Sequence, residues 1–286
     1  MCFQNILNTY KLQSSIEEYM HIWQVNAFTN EPFKGNPAGV CIVSEFPSDD
    51  LAQKIAAEVN YSETTYLKKI TSNHYHIRWF SPKDECGLCG HATLAAAHLL
   101  WEQGHVKDDI ITFDSMGGPL TAQRNGSWIT LNFPSFVIEP APMPELLNKA
   151  LGFVPVTSVY KDDIMYVVVL PSVQAVRDLK PNFAKIAQLP CRSVTVTALN
   201  EGEIDSDIDF VSRYFAPKVG IPEDPVCGSA HCRLTPLWAE KLNKTSMNAL
   251  QVSDRTGFIK VTLENNRVTL TAQAITVMEG NLLAAA

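Results

Sequence analysis

Two stretches decide the fold: RWFSPKDECGLCGH at residues 78–91 and RYFAPKVGIPEDPVCGS at residues 213–229. Arg78-Trp79-Phe80-Ser81-Pro82-Lys83 recurs as Arg213-Tyr214-Phe215-Ala216-Pro217-Lys218. Each copy runs on to an acidic residue and a Cys-Gly pair, Glu85 then Cys89-Gly90 and Asp224 then Cys227-Gly228. The offset is 135 residues at the arginines and 138 at the cysteines, so one loop is longer by three residues. A repeat of this kind predicts two related halves, each strand–loop–helix, set face to face.

Both Cys-Gly pairs open helical segments. The first, HATLAAAHLLWEQ, ends at Gly104, a good residue to follow a helix C-terminus. It has almost no polar face, which predicts burial on most sides. Its N-terminal N–H groups then need partners where water is scarce, and they carry partial positive charge. Gly90 lets a ligand approach the backbone closely. A carboxylate or phosphate fits such an end. The second segment, SAHCRLTPLWAEKL, repeats this behind Gly228, with Ser229 expected as its cap. Pro236 inside it is expected to kink or interrupt it.

A cysteine at a helix N-terminus is favoured as thiolate, so Cys89 and Cys227 are the candidate reactive thiols; alternatively they are small fillers of tight turns. Cys86-Gly87-Leu88-Cys89 also reads as C-x-x-C. With His91, Cys227, His231 and Cys232 nearby, the residue types suit zinc. The Cys227/Cys232 spacing is wrong for a paired knuckle, so no metal is predicted. A redox pair lacks the thioredoxin-type setting. No phosphate loop or dinucleotide fingerprint occurs, and no cofactor is predicted.

Outward from the repeats, HIWQVNAF, AGVCIV, the segment from Tyr61 to Leu67, and NHYHIRWF read as strands, with a helix capped at Ser48 and running to about Val59. Pro134, Pro140, Pro142, Pro144 and Pro155 crowd one stretch. Prolines there resist both helix and central strand. The halves are therefore placed at residues 20–140 and 141–286. The second half reads as strands TSVY, MYVVVL, SVTVTAL and DFVSRYF, a helix near Val173–Leu179, and a hairpin turning at Asn265-Asn266. Residues 1–19 are polar and without clear period. They read as an extension outside the fold or, equally, as an ordered helix through SSIEEYM.

Composition bounds the function. The 286 residues are 46% hydrophobic and 19% charged, which is globular. The net charge is -7 with no basic block, so nucleic acid is not an expected partner. No apolar run is long enough to span a bilayer, and no secretory signal is apparent. Seven cysteines, an odd number, point to thiols in a reducing, cytoplasmic compartment.

NAFTNEPFKGNPAGVCIV, YSETTYL, IRWFSPKDECGLCGHATLAAAHLL, SRYFAPKVGIPEDPVCGSAHC and QAITVMEGNL occur in this order from about Met20 to Leu282. Together they resemble the phenazine-biosynthesis isomerase-like (PhzF-type) family. The resemblance implies an α+β, diaminopimelate-epimerase-like fold: two pseudo-symmetric halves, each a barrel-like sheet around a central helix. Substrate would sit between the halves, at the helix starts. The last strand would return to the first half, and a homodimer would be expected.

The resemblance also implies that Glu63, in the S-E-T motif, is the general acid/base, with Asp224 and His91 shaping the site. Gly228 and Ser229 would hold substrate. Without it, Glu63 reads as an ordinary solvated carboxylate. Cys227 stands where many relatives carry Thr, and Arg255-Thr256-Gly257 where they often have Arg-Gly-Gly. With Cys at both helix starts, a two-thiol racemase or epimerase using Cys89 and Cys227 stays open. The leading expectation is a cofactor-independent isomerase acting on a small anionic, carboxylate-bearing metabolite; a non-catalytic binding protein is the third.

Overall fold

The computed structural model describes residues 20–283. The expectation for residues 1–19 falls outside them. The strands form one continuous, mostly antiparallel sheet that wraps twice, once around each of two helices.

In the first half, Met20–Ala27 pairs with Asn36–Val43, which runs parallel to Glu63–Lys69. Next come His74–Phe80, then Ile110–Ser115, again parallel, then Gly118–Asn125 and Trp128–Pro134. The second half repeats this order. Ser158–Lys161 pairs with Met165–Val169, which runs parallel to Ser193–Leu199. Phe210–Ala216 follows, then Ser246–Gln251 in parallel, then Gly257–Glu264 and Arg267–Ala272. Even the two parallel pairings recur at equivalent places.

The halves exchange one strand each. After Trp128–Pro134 the chain crosses over, and Glu139–Pro140 pairs with Ser158–Lys161. After Arg267–Ala272 it crosses back, and Ala274–Leu282 pairs along the whole of Met20–Ala27. The sheets are also joined directly, Trp128–Pro134 against Arg267–Ala272. Such reciprocal pairing buries backbone groups that an open edge would leave unsatisfied.

Helix Gly90–Glu102 fills the first wrap. His91 through Leu100 are buried apart from His98, as its apolar circumference requires. Burying Leu94, Leu99 and Leu100 contributes about 1.5–3 kcal/mol each. Gly104 follows the helix at φ 70°, the left-handed position the sequence assigns it.

Helix Gly228–Leu242 fills the second wrap and runs through Pro236 without a break, contrary to the expectation of an interruption. A proline leaves the carbonyl four residues earlier without its donor. Here that carbonyl belongs to Cys232, and the Phe136 N–H bonds to it at 3.1 Å. The bond also seats Phe136, whose ring lies under the Arg233 guanidinium at 4.4 Å.

The repeated arginines hold the loops before the helices. Arg78 grips Glu85 through Nε and Nη2, and Arg213 grips Glu223 in the same fork. This corrects one pairing made on sequence: the equivalent of Glu85 is Glu223, so Asp224 corresponds to Cys86. The three extra residues lie before Glu223, in the turn at Pro217–Val219.

Candidate active site

The two helix starts open on one cavity of about 280 Å³ between the halves. Its lining includes Glu63, Cys89, Gly90, His91, Asp224, Cys227, Gly228 and Ser229, every residue singled out on sequence. The first-turn N–H groups at Gly90 and Gly228 are ones a helix cannot satisfy itself.

Glu63 begins its strand and is 9% exposed, so it is no solvated carboxylate. Its Oε2 lies 3.1 Å from His91 Nε2. The approach is off the hydrogen-bond line, and both atoms stay buried without an aligned partner. His91 Nδ1 lies 3.5 Å from Cys89 Sγ, and Cys86 Sγ points at Glu63 Oε1 from 3.8 Å. Asp224 ends the short strand Ile221–Asp224. Its Oδ1 accepts from Asn36 Nδ2 at 2.6 Å, and the same amide nitrogen donates to Val226 O at 3.0 Å. Asn36 Oδ1 accepts from Ser62 Oγ at 3.1 Å. The fully buried Asn36 therefore links the residue before Glu63 to Asp224.

The two carboxylates are driven apart. Burial pushes Glu63 up, but the close charge of His91, with the Cys89 and Cys86 thiols, outweighs it and holds Glu63 below the usual range. Burial pulls His91 down, yet Glu63 and then Asp224 leave it above the usual histidine value. Burial pushes Asp224 up to about 7, with the Glu63 charge adding to the rise and His91 and Asn36 opposing it. The shifts favour the ionised form of Glu63 and the protonated form of His91, and move the titration of Asp224 up to about 7.

The thiols correct another expectation. Cys89 and Cys227 occupy the helix N-cap positions, and the N–H groups of Ala92 and Ala230 do favour their thiolates. Burial, then the charge of Glu63 on Cys89 and of Asp224 on Cys227, acts the other way and is larger. Both thiols sit well above 9. Ser229 is not the cap either; it lies in the first turn, and its Oγ accepts from Arg233 Nη1 at 3.1 Å.

Sequence reasoning missed Asn36, Arg192, Arg233 and the apolar wall of Phe133, Phe136 and Met165. Asn36 lies inside NAFTNEPFKGNPAGVCIV, one of the strings that carry the family resemblance, and that is its signal in the sequence. Glu63, Cys89 and His91 each bring a ligand-capable atom within 4.8 Å of the others. This set differs from the C-x-x-C pair weighed on sequence. A metal there would compete with the Glu63–His91 contact.

Paired helix starts closing on acidic and imidazole groups, in two half-barrels that exchange strands, define the epimerase-like class of α+β proteins. Residues 25–280 match the family model described as phenazine biosynthesis-like protein. The chain belongs to that family, PhzC–PhzF. It is 44% identical to an uncharacterised isomerase of Halalkalibacterium halodurans over 264 residues, 92% of this chain and 98% of the relative. A PhzF-family crystal structure from Enterococcus faecalis superposes with a TM-score of 0.87 at 37% identity, covering 92% of this chain and 99% of that one. A hydroxyproline epimerase from Agrobacterium vitis shares the fold at 13% identity, with a TM-score of 0.60 and coverage of 94% and 93%. The fold is thus diaminopimelate-epimerase-like. Among the described residues no helix is long and apolar enough to cross a membrane.

Proposed function

We propose that the protein is an isomerase that moves a proton on a small carboxylate-bearing metabolite, with Glu63 as the proton carrier and no cofactor. The observation that carries this reading is the buried Glu63–His91 contact beside Asp224, in a cavity floored by two helix N-termini. Relatives named as isomerases support it.

The ionised Glu63 takes a proton from a carbon next to a carboxylate, or conjugated to one. The negative charge left on the substrate is spread toward the N–H groups at Gly90 and Gly228. Glu63, now neutral, returns the proton to a second carbon, so the product is an isomer and the enzyme is unchanged. His91 keeps Glu63 ionised before transfer and eases its return to that state. Asp224, poised near 7, stands ready to share a proton with the opposite side of the substrate.

A two-thiol racemase remains the second reading, because Cys89 and Cys227 line the cavity from equivalent positions. Their raised thiols favour the glutamate. The test is deuterium uptake from heavy water into a panel of small carboxylates. Glu63→Gln is expected to slow exchange at least about a hundredfold, and Cys227→Ser to retain most of it. The reverse pattern would establish the racemase. No exchange with any carboxylate would leave a binding protein.

A further inference from the structure

We infer that Arg192 forms the carboxylate subsite of this cavity and makes the protein selective for monocarboxylates with an apolar body. The inference rests on the isomerase reading and names its substrate class.

The first support is the pseudo-symmetry. Thr64 pairs with Phe80 in one half, and Val194 pairs with Phe215 in the other. Phe80 and Phe215 are equivalent through the repeated motif, so Ser62-Glu63 corresponds to Arg192-Ser193. Matching strand starts therefore deliver the proton carrier from one half and a guanidinium from the other, and both residues line the cavity.

The second support is charge. Two arginines line the cavity. Arg233 is neutralised by Asp162, Nε to Oδ2 at 2.5 Å, and donates to Ser229. Arg192 is fixed by its backbone N–H to Ile164 O at 2.8 Å. Among the described residues its side chain has no ion pair or hydrogen bond. Its exposed guanidinium is near enough to favour the anionic forms of Cys86 and of Tyr214, the latter on the cavity wall. One uncommitted cation accommodates one carboxylate.

The third support is the wall. Ile164, Met165, Phe133, Phe136 and Leu88 give the cavity an apolar side that a second charge would have to desolvate against. Arg192 then holds the charge present throughout the reaction, leaving the N–H groups at Gly90 and Gly228 for the charge that develops.

Benzoate and its uncharged isostere benzamide are suitable probes, with affinity for the full chain measured by calorimetry. Wild type is expected to bind benzoate about tenfold more tightly than benzamide, as a charge-assisted contact at a partly wet site allows. Arg192→Gln should remove that preference and leave benzamide unaffected, and Arg192→Lys should restore part of it. Phthalate, with a second carboxylate, should bind no more tightly than benzoate. Equal affinity of wild type for benzoate and benzamide, unchanged benzoate affinity in Arg192→Gln, or no benzoate binding to wild type would overturn the assignment. Failure of the proton-carrier role shows in the deuterium exchange of Glu63→Gln, while failure of the subsite shows in the benzoate binding of Arg192→Gln.

Discussion

Replacing Asp224 by Asn tests the electrostatics of the site without knowledge of the substrate. Asp224 is 8% exposed and has its pKa moved from 3.8 to about 7. Between those values the folded protein binds more protons than the unfolded chain, so this carboxyl makes stability fall as pH rises from about 4 to about 7. Glu63 is shifted downward, so its contribution grows only as pH rises through the acid range and is complete above about 4.5. His91 is shifted upward, so its contribution is lost only as pH climbs beyond its ordinary value of 6.5. Between about pH 5 and 6.5, buried His231, pulled down to about 4, and His98, also lowered, add an opposite slope, so the Asp224 slope is isolated in the difference between wild type and Asp224→Asn, where the histidines cancel. One pKa unit is worth about 1.36 kcal/mol, so wild type should lose roughly 2 kcal/mol across that window relative to Asp224→Asn. The amide keeps an oxygen for Asn36 Nδ2, so the hydrogen bond is not sacrificed. Urea unfolding of both proteins at several pH values reads the difference directly. Parallel stability curves would refute the buried, raised carboxyl and with it the division of labour between Glu63 and Asp224.

Three further outcomes follow from particular contacts. Asn36→Ala removes the donor that favours ionised Asp224 and should raise that carboxyl by about one further unit, seen by carbon-13 NMR of the labelled side chain. Iodoacetamide at pH 8 should modify Cys89 and Cys227 more slowly than a model thiol, read by peptide mass spectrometry, because burial holds both well above 9. Thr256 sits at φ 55°, where a side chain costs about 1–2 kcal/mol. Thr256→Gly should therefore raise the unfolding free energy by about 1 kcal/mol, measured in urea.

The Thr256 angle also gives meaning to a departure from the family pattern: the left-handed backbone there suits the glycine that the resemblance leads one to expect. The helices were legible because their signals are local, an apolar circumference before Gly104 and a repeated Cys-Gly start. The barrel-like wrap was not, since strand order and the two crossovers are fixed by pairings between residues as distant as Met20 and Leu282. The cavity followed from the repeat, but its electrostatics did not. A helix N-terminus alone argues for thiolates at Cys89 and Cys227. Only the packing shows that burial and the facing carboxylates outweigh it.

The two halves keep their symmetry where the chain needs support and lose it where chemistry is needed. Both forks survive, Arg78 on Glu85 and Arg213 on Glu223, as do both Cys-Gly starts. At the cavity the partners diverge: Ser62 against Arg192, Glu63 against Ser193, Cys86 against Asp224, His91 against Ser229. A symmetric site would place like carboxylates or like thiols on both sides of a substrate and suit exchange between mirror forms. This one does carry like thiols, Cys89 and Cys227, both pushed well above 9, but it sets a lowered Glu63 with His91 in one half against Asp224 raised to about 7 in the other. Under the proposed function, that asymmetry gives a proton a preferred side from which to leave, as directional isomerisation requires. The same divergence explains why the repeat reveals the scaffold so readily and the mechanism so poorly: the matching forks hold the loops and the matching Cys-Gly starts shape the cavity, while the titratable groups Glu63, His91 and Asp224 have no like counterpart in the other half.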